Sequence, residues 1–340
     1  SHTGAVAATV KEATDGARLV FDAANAKGGI GGQKLELVVL DDAFDPQRSA
    51  DNAKALIDKG VIALFLTRGT PHNQRILPLL VEHRLALVGP STGAMLLHEP
   101  VHPWVFNVRA TYQREAERSI RHLLGTGATR IALVQVDDSF GQDAAAGALR
   151  GFGAGLKPVV HDTYDRANPQ FDTIVQRLVA ADAQAVMFIG SGTAVVDGVR
   201  ALRAAGSRAQ LLTLSNNASS GFIKALGEHA RGVVVSQVMP FPFSAAQPLA
   251  ADYLAAGKAA LGAKFEPNYS SMEGFVAARA FTEGLRRNGG VWSPEGLIGG
   301  LESLQGLNLG GFTLDFSPTK HTGSRYVDLS ILSFDGKVRR

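Results

Sequence analysis

Val61-Ile62-Ala63-Leu64-Phe65-Leu66-Thr67-Arg68-Gly69-Thr70-Pro71 is the stretch on which the fold turns. Its first six residues form the longest uninterrupted apolar run in the chain. A run that short reads as a strand covered on both faces, because a strand with one wet face would alternate. The turn Arg68-Gly69-Thr70-Pro71 then opens a helix from about Pro71 to His83, with proline at its first position. Leu85 to Val88 is a further strand, followed by Gly89-Pro90-Ser91-Thr92-Gly93. Strand, helix and strand in this order make a parallel crossover unit.

The same alternation extends both ways. Upstream, Val10, Ala13, Ala17, Val20, Phe21 and Ala24 share one helical face, and Leu35 to Leu40 reads as a strand. Pro46 opens a helix with Ala50, Ala53, Leu56 and Ile57 inward. Downstream, a strand at Val105–Val108 precedes a second series. It comprises a helix at Tyr112–Leu124, strands at Ile131–Val136, Ala185–Ile189, Leu211–Leu214 and Val233–Val238, and helices between them. Helices near Leu249–Leu261, Met272–Arg287 and Pro294–Leu304 then arrive with little strand between them, and strands near Phe312–Phe316 and Tyr326–Phe334 close the chain.

The expected fold class is therefore α/β, with two doubly wound parallel-sheet lobes. Helices left over after a second complete module suggest that the chain returns to the first. Three crossovers follow, near Asn107–Thr111, Gln237–Phe241 and Asp315–Thr319. The expected lobes are residues 1–108 with 240–316, and 109–239 with 317–340. A length of 340 residues suits two domains at roughly 150 residues each.

Composition excludes several function classes. Apolar residues make up 45% and charged residues 19%, the reverse of a disordered chain. The net charge of +3 comes without a Lys/Arg block, so nucleic-acid binding is not expected. With no cysteine there is no disulfide scaffold, thiol nucleophile or Cys-ligated zinc. No apolar run is long enough to span a bilayer. Ser1-His2-Thr3-Gly4 carries no leader features, which fits a cytosolic chain or a mature form whose leader was removed.

Motifs for chemistry are weak. Gly125-Thr126-Gly127 follows a helix and precedes a strand, the reverse of a dinucleotide fingerprint. Gly190-Ser191-Gly192 lacks the first glycine of a nucleophile elbow, which would fall at Ile189. His98 and His102 lie in a proline-broken segment with no third ligand nearby, so no metal is expected. Neither a cofactor nor catalysis is expected. The loops at strand C-terminal ends are more telling as a set: Thr67-Arg68-Gly69-Thr70, Pro90-Ser91-Thr92-Gly93, Ser139-Phe140-Gly141, Gly190-Ser191-Gly192 and Ser215-Asn216-Asn217. Ligands of open α/β sheets bind at such ends, and glycines, hydroxyls and helix N-termini suit a small carboxylate. Ordinary strand–helix capping explains any one of these loops equally well.

Taken in order, several segments resemble the type I periplasmic solute-binding proteins of ABC transporters, in their leucine/isoleucine/valine-binding branch. They are Asn25-Ala26-Lys27-Gly28-Gly29-Ile30 with Gly32, Asp41-Asp42 with Asp45-Pro46, Gly69-Thr70-Pro71, Gly89 to Ala94, Val105 to Arg109, Arg130 to Val134, Asp138 to Gly141, and Met272 to Ala278. The likeness runs from near Gly16 to the C-terminus. It implies a two-lobed fold that closes on a ligand in a cleft between the lobes, a membrane permease as partner, and a periplasmic location with the leader peptide absent from this chain. Relatives open with one more strand, and Ser1 to Gly4 resembles the loop that ends it. The implied ligand-binding residues are Gly69, Thr70, Ser91, Thr92, Gly93, Tyr112, Phe140, Ser191, Gly192, Ser215, Asn216 and Met239. This sequence departs from the family at Ser215, where an acid for a ligand ammonium would fall, at Phe140, which lacks a phenol hydroxyl, and at Gly192, which replaces an aromatic. Either Asp137 or Asp138 supplies the acid, or the ligand has no amino group, since an unpaired buried ammonium is costly. The function implied is capture of an apolar or branched-chain amino acid. An aromatic or other non-amino organic acid and a sensory role stay open, but no helix-turn-helix precedes the first lobe.

Overall fold

The computed structural model describes residues 2–333 and 337–340. They form two compact units, Ser1–Ala110 with Met239–Tyr326 and Thr111–Val238 with Val327–Arg340.

The first unit opens with α1 (Ala7–Ala26). In α2 (Pro46–Asp58) the Asp45 carboxylate accepts from the Arg48 amide, which caps the helix ahead of Pro46. Strands β1 (Ala63–Phe65), β2 (Ala86–Val88) and β3 (Val105–Phe106) form a parallel sheet in that order, with α3 (Thr70–His83) as the crossover between β1 and β2. Ala63 lies opposite Ala86, and Leu87 opposite Val105. Ala53 of α2, Ile76 and Leu80 of α3, and Leu64, Leu87 and Val105 of the sheet pack into one core cluster.

The expected strand at Leu35–Leu40 does not enter this sheet. Its burial is mixed, and no ladder partner is assigned to it. Instead a cavity of about 410 Å³ is lined by Lys34–Leu40 on one part of its wall and by Gly60–Arg68 on another. The apolar pattern was sound, but a ladder also needs a neighbouring backbone within about 5 Å. Beside Leu35 the chain is held by Asn25 instead, whose side chain donates to Leu35 O and accepts from Leu35 N, both at 2.8 Å.

The second unit comprises α4 (Tyr112–Gly125), β4 (Ile131–Val136), α5 (Ser139–Phe152), β5 (His161–Tyr164), α6 (Asp172–Ala180), β6 (Ala185–Ile189), α7 (Thr193–Ala204), β7 (Gln210–Thr213), α8 (Ser220–Leu226) and β8 (Val234–Gln237). Strand β5 escaped the sequence reading because His161-Asp162-Thr163-Tyr164 is polar. It is the edge strand of the sheet and is exposed at two of its four residues.

The chain then returns to the first unit with α9 (Pro248–Leu261), α10 (Tyr269–Arg287), α11 (Pro294–Glu302) and the short antiparallel pair β9 (Leu307–Asn308) and β10 (Thr313–Leu314). Helices α1 and α10 touch backbone to backbone. A Cβ on Gly16 would lie 1.8 Å from Ser271 O, and one on Gly274 would lie 1.8 Å from Ala13 O. Only glycine permits that approach.

Strands β11 (Asp328–Leu332) and β12 (Val338–Arg339) complete the second sheet in the order β12-β11-β8-β7-β6-β4-β5. Strands β4 to β8 are mutually parallel; β11 runs antiparallel to β8, and β12 to β11. Phe334, expected at the end of the last strand, lies outside the described residues. The third crossing also falls later than expected. Residues 317–326 belong to the first unit, where Gly323 N donates to Asn107 O at 2.8 Å, Phe316 meets Phe106 edge-on, and His321 stacks on Phe106 with centroids 4.0 Å apart. Burial of those rings fixes the segment there, a long-range contact that local periodicity does not encode. Met239, expected in the second lobe, likewise falls in the first unit and is buried.

Candidate functional site

In the first unit, the loops after β1 and β2 are tied together. Ser91 N donates to Thr67 O at 2.8 Å, and Arg68 and Ser91 form a parallel bridge. Asn73, one turn into α3, stiffens the first loop: its Nδ2 donates to Gly69 O at 2.7 Å and its Oδ1 accepts from the Thr67 hydroxyl at 2.5 Å. Gly69 caps α3 with φ +91°, a conformation L-residues avoid. Thr70 is the first residue of α3, and its hydroxyl meets that of Thr92 at 3.0 Å. Thr70, Ser91, Thr92 and Gly93 are all buried. The geometry thus gathers Gly69, Thr70, Ser91, Thr92 and Gly93 around one helix N-terminus. Amide hydrogens at such an end have no intrahelical acceptor, and the helix dipole favours an anion there.

In the second unit, the loops after β6 and β7 are clamped by two asparagines. Asn216 Nδ2 donates to Gly190 O at 2.8 Å and to Ser191 Oγ at 3.1 Å. Asn217 Oδ1 accepts from Gly192 N at 3.0 Å, and its Nδ2 donates to Gly190 O and to Thr213 Oγ1. So Ser191, Gly192, Ser215 and Asn216 come together. Tyr112, at the start of α4, and Phe140, in the first turn of α5, form an aromatic pair with centroids 4.8 Å apart.

Of the two acids considered for a ligand ammonium, Asp138 is committed. Its Oδ1 accepts from Phe140 N and Gly141 N as the cap of α5, and its Oδ2 pairs with Arg166 at 2.6 Å. Asp137 is exposed. The acid that reaches Ser215 is Glu115, which the sequence reading missed. It is fully buried and accepts from Ser215 N and Ser215 Oγ, each at 3.0 Å, and from Ser236 Oγ at 2.5 Å. Its signal lay on α4, where Tyr112, Glu115, Ala116, Ser119, Ile120 and Leu123 are the buried face. A carboxylate inside an apolar stripe demands partners.

A family model described as periplasmic binding protein matches residues 1–337. The chain belongs to that family. A substrate-binding periplasmic protein from Ralstonia solanacearum is similar in structure, at 33% identity and TM-score 0.91, covering 99% of this chain and 97% of that one. A possible leucine/isoleucine/valine-binding protein from Rhodopirellula baltica SH 1 is 26% identical with TM-score 0.93, covering 100% and 93%. The Leu/Ile/Val-binding protein of Escherichia coli K12 is 24% identical over 215 residues, which are 63% of this chain and 59% of that protein. The chain thus aligns with under two thirds of the length of that curated relative.

A periplasmic binding protein has histidines to explain as well. His98 Nδ1 meets Thr322 Oγ1 at 2.8 Å, and His102 Nδ1 accepts from Trp104 N at 3.3 Å. These contacts brace loops within the first unit. Among the described residues no group of three or more His, Cys, Asp or Glu is placed to hold a metal ion, and no helix is long and apolar enough to cross a membrane. In the second unit burial pushes the Tyr164 phenol up, and its hydroxyl sits where a Cβ on Gly190 would come within 1.8 Å.

Proposed function

We propose that this protein is the periplasmic solute-binding component of an ABC importer, which captures a small carboxylate-bearing solute and hands it to a membrane permease without chemical change. One observation carries the reading: the paired hydroxyls of Thr70 and Thr92 at the N-terminus of a 14-residue helix, on loops locked by the bond from Ser91 N to Thr67 O. Gly69 and Gly93 let a ligand carboxylate approach the backbone there. Tyr112, Phe140, Ser191, Gly192, Ser215 and Asn216 are the second unit's contribution, with Met239 at a chain crossing. The names of the relatives point toward a branched-chain amino acid. The ligand shifts an open–closed equilibrium by its extra contacts in the closed state.

Native mass spectrometry of the purified protein identifies a retained solute, and calorimetry with that solute tests the site. A charge-assisted hydrogen bond is worth roughly 1.5–3 kcal/mol, so Ser91→Ala or Thr92→Val should weaken binding about ten- to a hundredfold. If both variants match wild type, or the solute's amide binds as tightly as its acid, the carboxylate is held elsewhere. Recovery of a chemically altered solute would refute a purely binding role.

A further inference from the structure

The 410 Å³ cavity of the first unit is bounded by two stretches of chain, Lys34–Leu40 and Gly60–Arg68, each lining it with consecutive residues. The second stretch contains β1, which pairs with β2 on one edge only. The first has no ladder partner among the described residues. The remaining walls come from two helix pairs. Val10, Phe21 and Phe281 belong to α1 and α10, and Ala53, Leu56 and Ile76 to α2 and α3. A strand lying between two such helix layers is buried on both faces, so it must be apolar throughout. Asn52 also lines the cavity, and its Nδ2 is buried without a hydrogen-bond partner among the described residues. A donor is thus left for a carbonyl that the cavity lacks.

The direction of an occupant is set as well. His2 lines the cavity, and its N donates at 2.7 Å to Oδ1 of Asp41, the residue that follows Leu35–Leu40. Thr3 N and Thr3 Oγ1 donate to the same carboxylate. A strand that leads into His2 therefore finishes at the same end as Leu35–Leu40 and runs parallel to it. Helix α1 then joins two parallel strands, as α3 does between β1 and β2.

We infer that this cavity is a strand site: it takes one apolar segment of polypeptide, in line with His2, as a parallel strand between Leu35–Leu40 and β1. A segment of about six residues is about 20 Å long when extended and matches Leu35–Leu40 residue for residue. Its backbone supplies the ladder neighbour that Leu35–Leu40 lacks and covers the open edge of β1. The inference rests on the first unit's fold and is independent of the carboxylate site.

The test joins the probe Val-Ile-Val-Ile-Val ahead of Ser1 and compares hydrogen exchange with that of the chain as it stands. Protection of the Leu37–Leu40 amides should rise at least about hundredfold, because they gain a ladder. A second extension, Val-Pro-Val-Pro-Val, has few backbone donors and should leave them unchanged. If the first extension is insoluble, the same five residues flanked by lysines are added as a free peptide at about 1 mM, near the effective concentration of a short tether. The same amides should then gain at least about threefold. No gain from either form of the probe overturns the inference, and so does an equal gain with the proline extension. Two further outcomes would assign the cavity to another occupant and also overturn it. One is dimerisation of the unextended chain, with rising concentration, that protects Leu37–Leu40. The other is a retained apolar small molecule, seen by native mass spectrometry, whose removal deprotects them. In every case solute binding at Ser91 and Thr92 is measured separately and stands or falls by itself.

Discussion

In the second unit, Leu133 of β4 is laddered on both sides, opposite Met187 of β6 and His161 of β5. In the first unit, Leu64 of β1 is laddered on one side only, opposite Leu87, and also lines the 410 Å³ cavity. Both residues come from apolar runs of six, Ile131 to Val136 with one glutamine and Val61 to Leu66 with none. The more apolar run thus has the poorer ladder. Hydrophobicity tells a strand to be buried, whereas the number of its backbone partners depends on what the rest of the chain brings beside it. The two units also draw on different supports. The second rests on a seven-stranded sheet, and the first on a three-stranded sheet and the tight glycine contact between α1 and α10.

Hydrogen exchange tests the contrast most strongly. Amides of Val186, Met187 and Phe188, central in the second sheet, should open only with their whole unit. Amides of Leu37 to Leu40 should open locally. The gap should be at least about three decades in protection, or about 4 kcal/mol. Equal protection in the two segments would mean that Leu35–Leu40 is laddered after all, and the difference between the units would vanish.

Glycine substitutions sharpen it next. In Gly274→Ala the new methyl meets the Ala13 carbonyl, a backbone atom that cannot swing aside, so the first unit should lose about 3 kcal/mol. In Gly190→Ala the methyl meets the Tyr164 hydroxyl, the end of a side chain, and the loss should be roughly 1–2 kcal/mol. That hydroxyl is buried without a hydrogen-bond partner among the described residues, so Tyr164→Phe costs little by itself and should relieve most of the Gly190→Ala penalty. Denaturant titration of the two single variants and the double variant measures this coupling. Additive effects in the second unit would show that the collision is not with Tyr164.

The helices, strands β4, β6, β7, β8 and β11, and the return of the chain were legible because each rests on local periodicity or on counting. The loops of the candidate site were legible too, since glycine and hydroxyl residues after apolar runs mark the C-terminal ends of strands. Polar β5 was not legible, because an edge strand need not alternate. Nor was the late third crossing, because ring contacts of Phe316 and His321 with Phe106 decide it. Glu115, a charge in a helix's buried face, was missed, and Arg68 stood only as one residue of a glycine–threonine loop. Their partners Ser215, Ser236 and Ser91 lie 100, 121 and 23 residues away, beyond any spacing rule.

Acid exposes the smallest difference between the units. His98 is buried in the first unit, where desolvation, and then the charge of Arg109, push its pKa down from 6.5 to about 3. His102 is lowered in the same direction by burial and by His321. In the second unit burial moves the Tyr164 phenol upward and away from neutral pH. An unfolded His98 takes up its proton near pH 6.5, and a folded one only near 3. The unfolded state therefore binds more protons between those values, and stability falls as pH drops through that window. His98 alone should cost the first unit about 2 kcal/mol between pH 7 and pH 5, and nothing further below about 3. The second unit should change less over the same range. Urea unfolding at pH 7, 6 and 5, followed by hydrogen exchange in each unit, measures both slopes. His98→Gln keeps a donor for Thr322 Oγ1 and removes the titration, so its first unit should lose most of this pH dependence. If the variant is as acid-sensitive as wild type, the protons are being taken up at another group, and the asymmetry in acid does not come from His98.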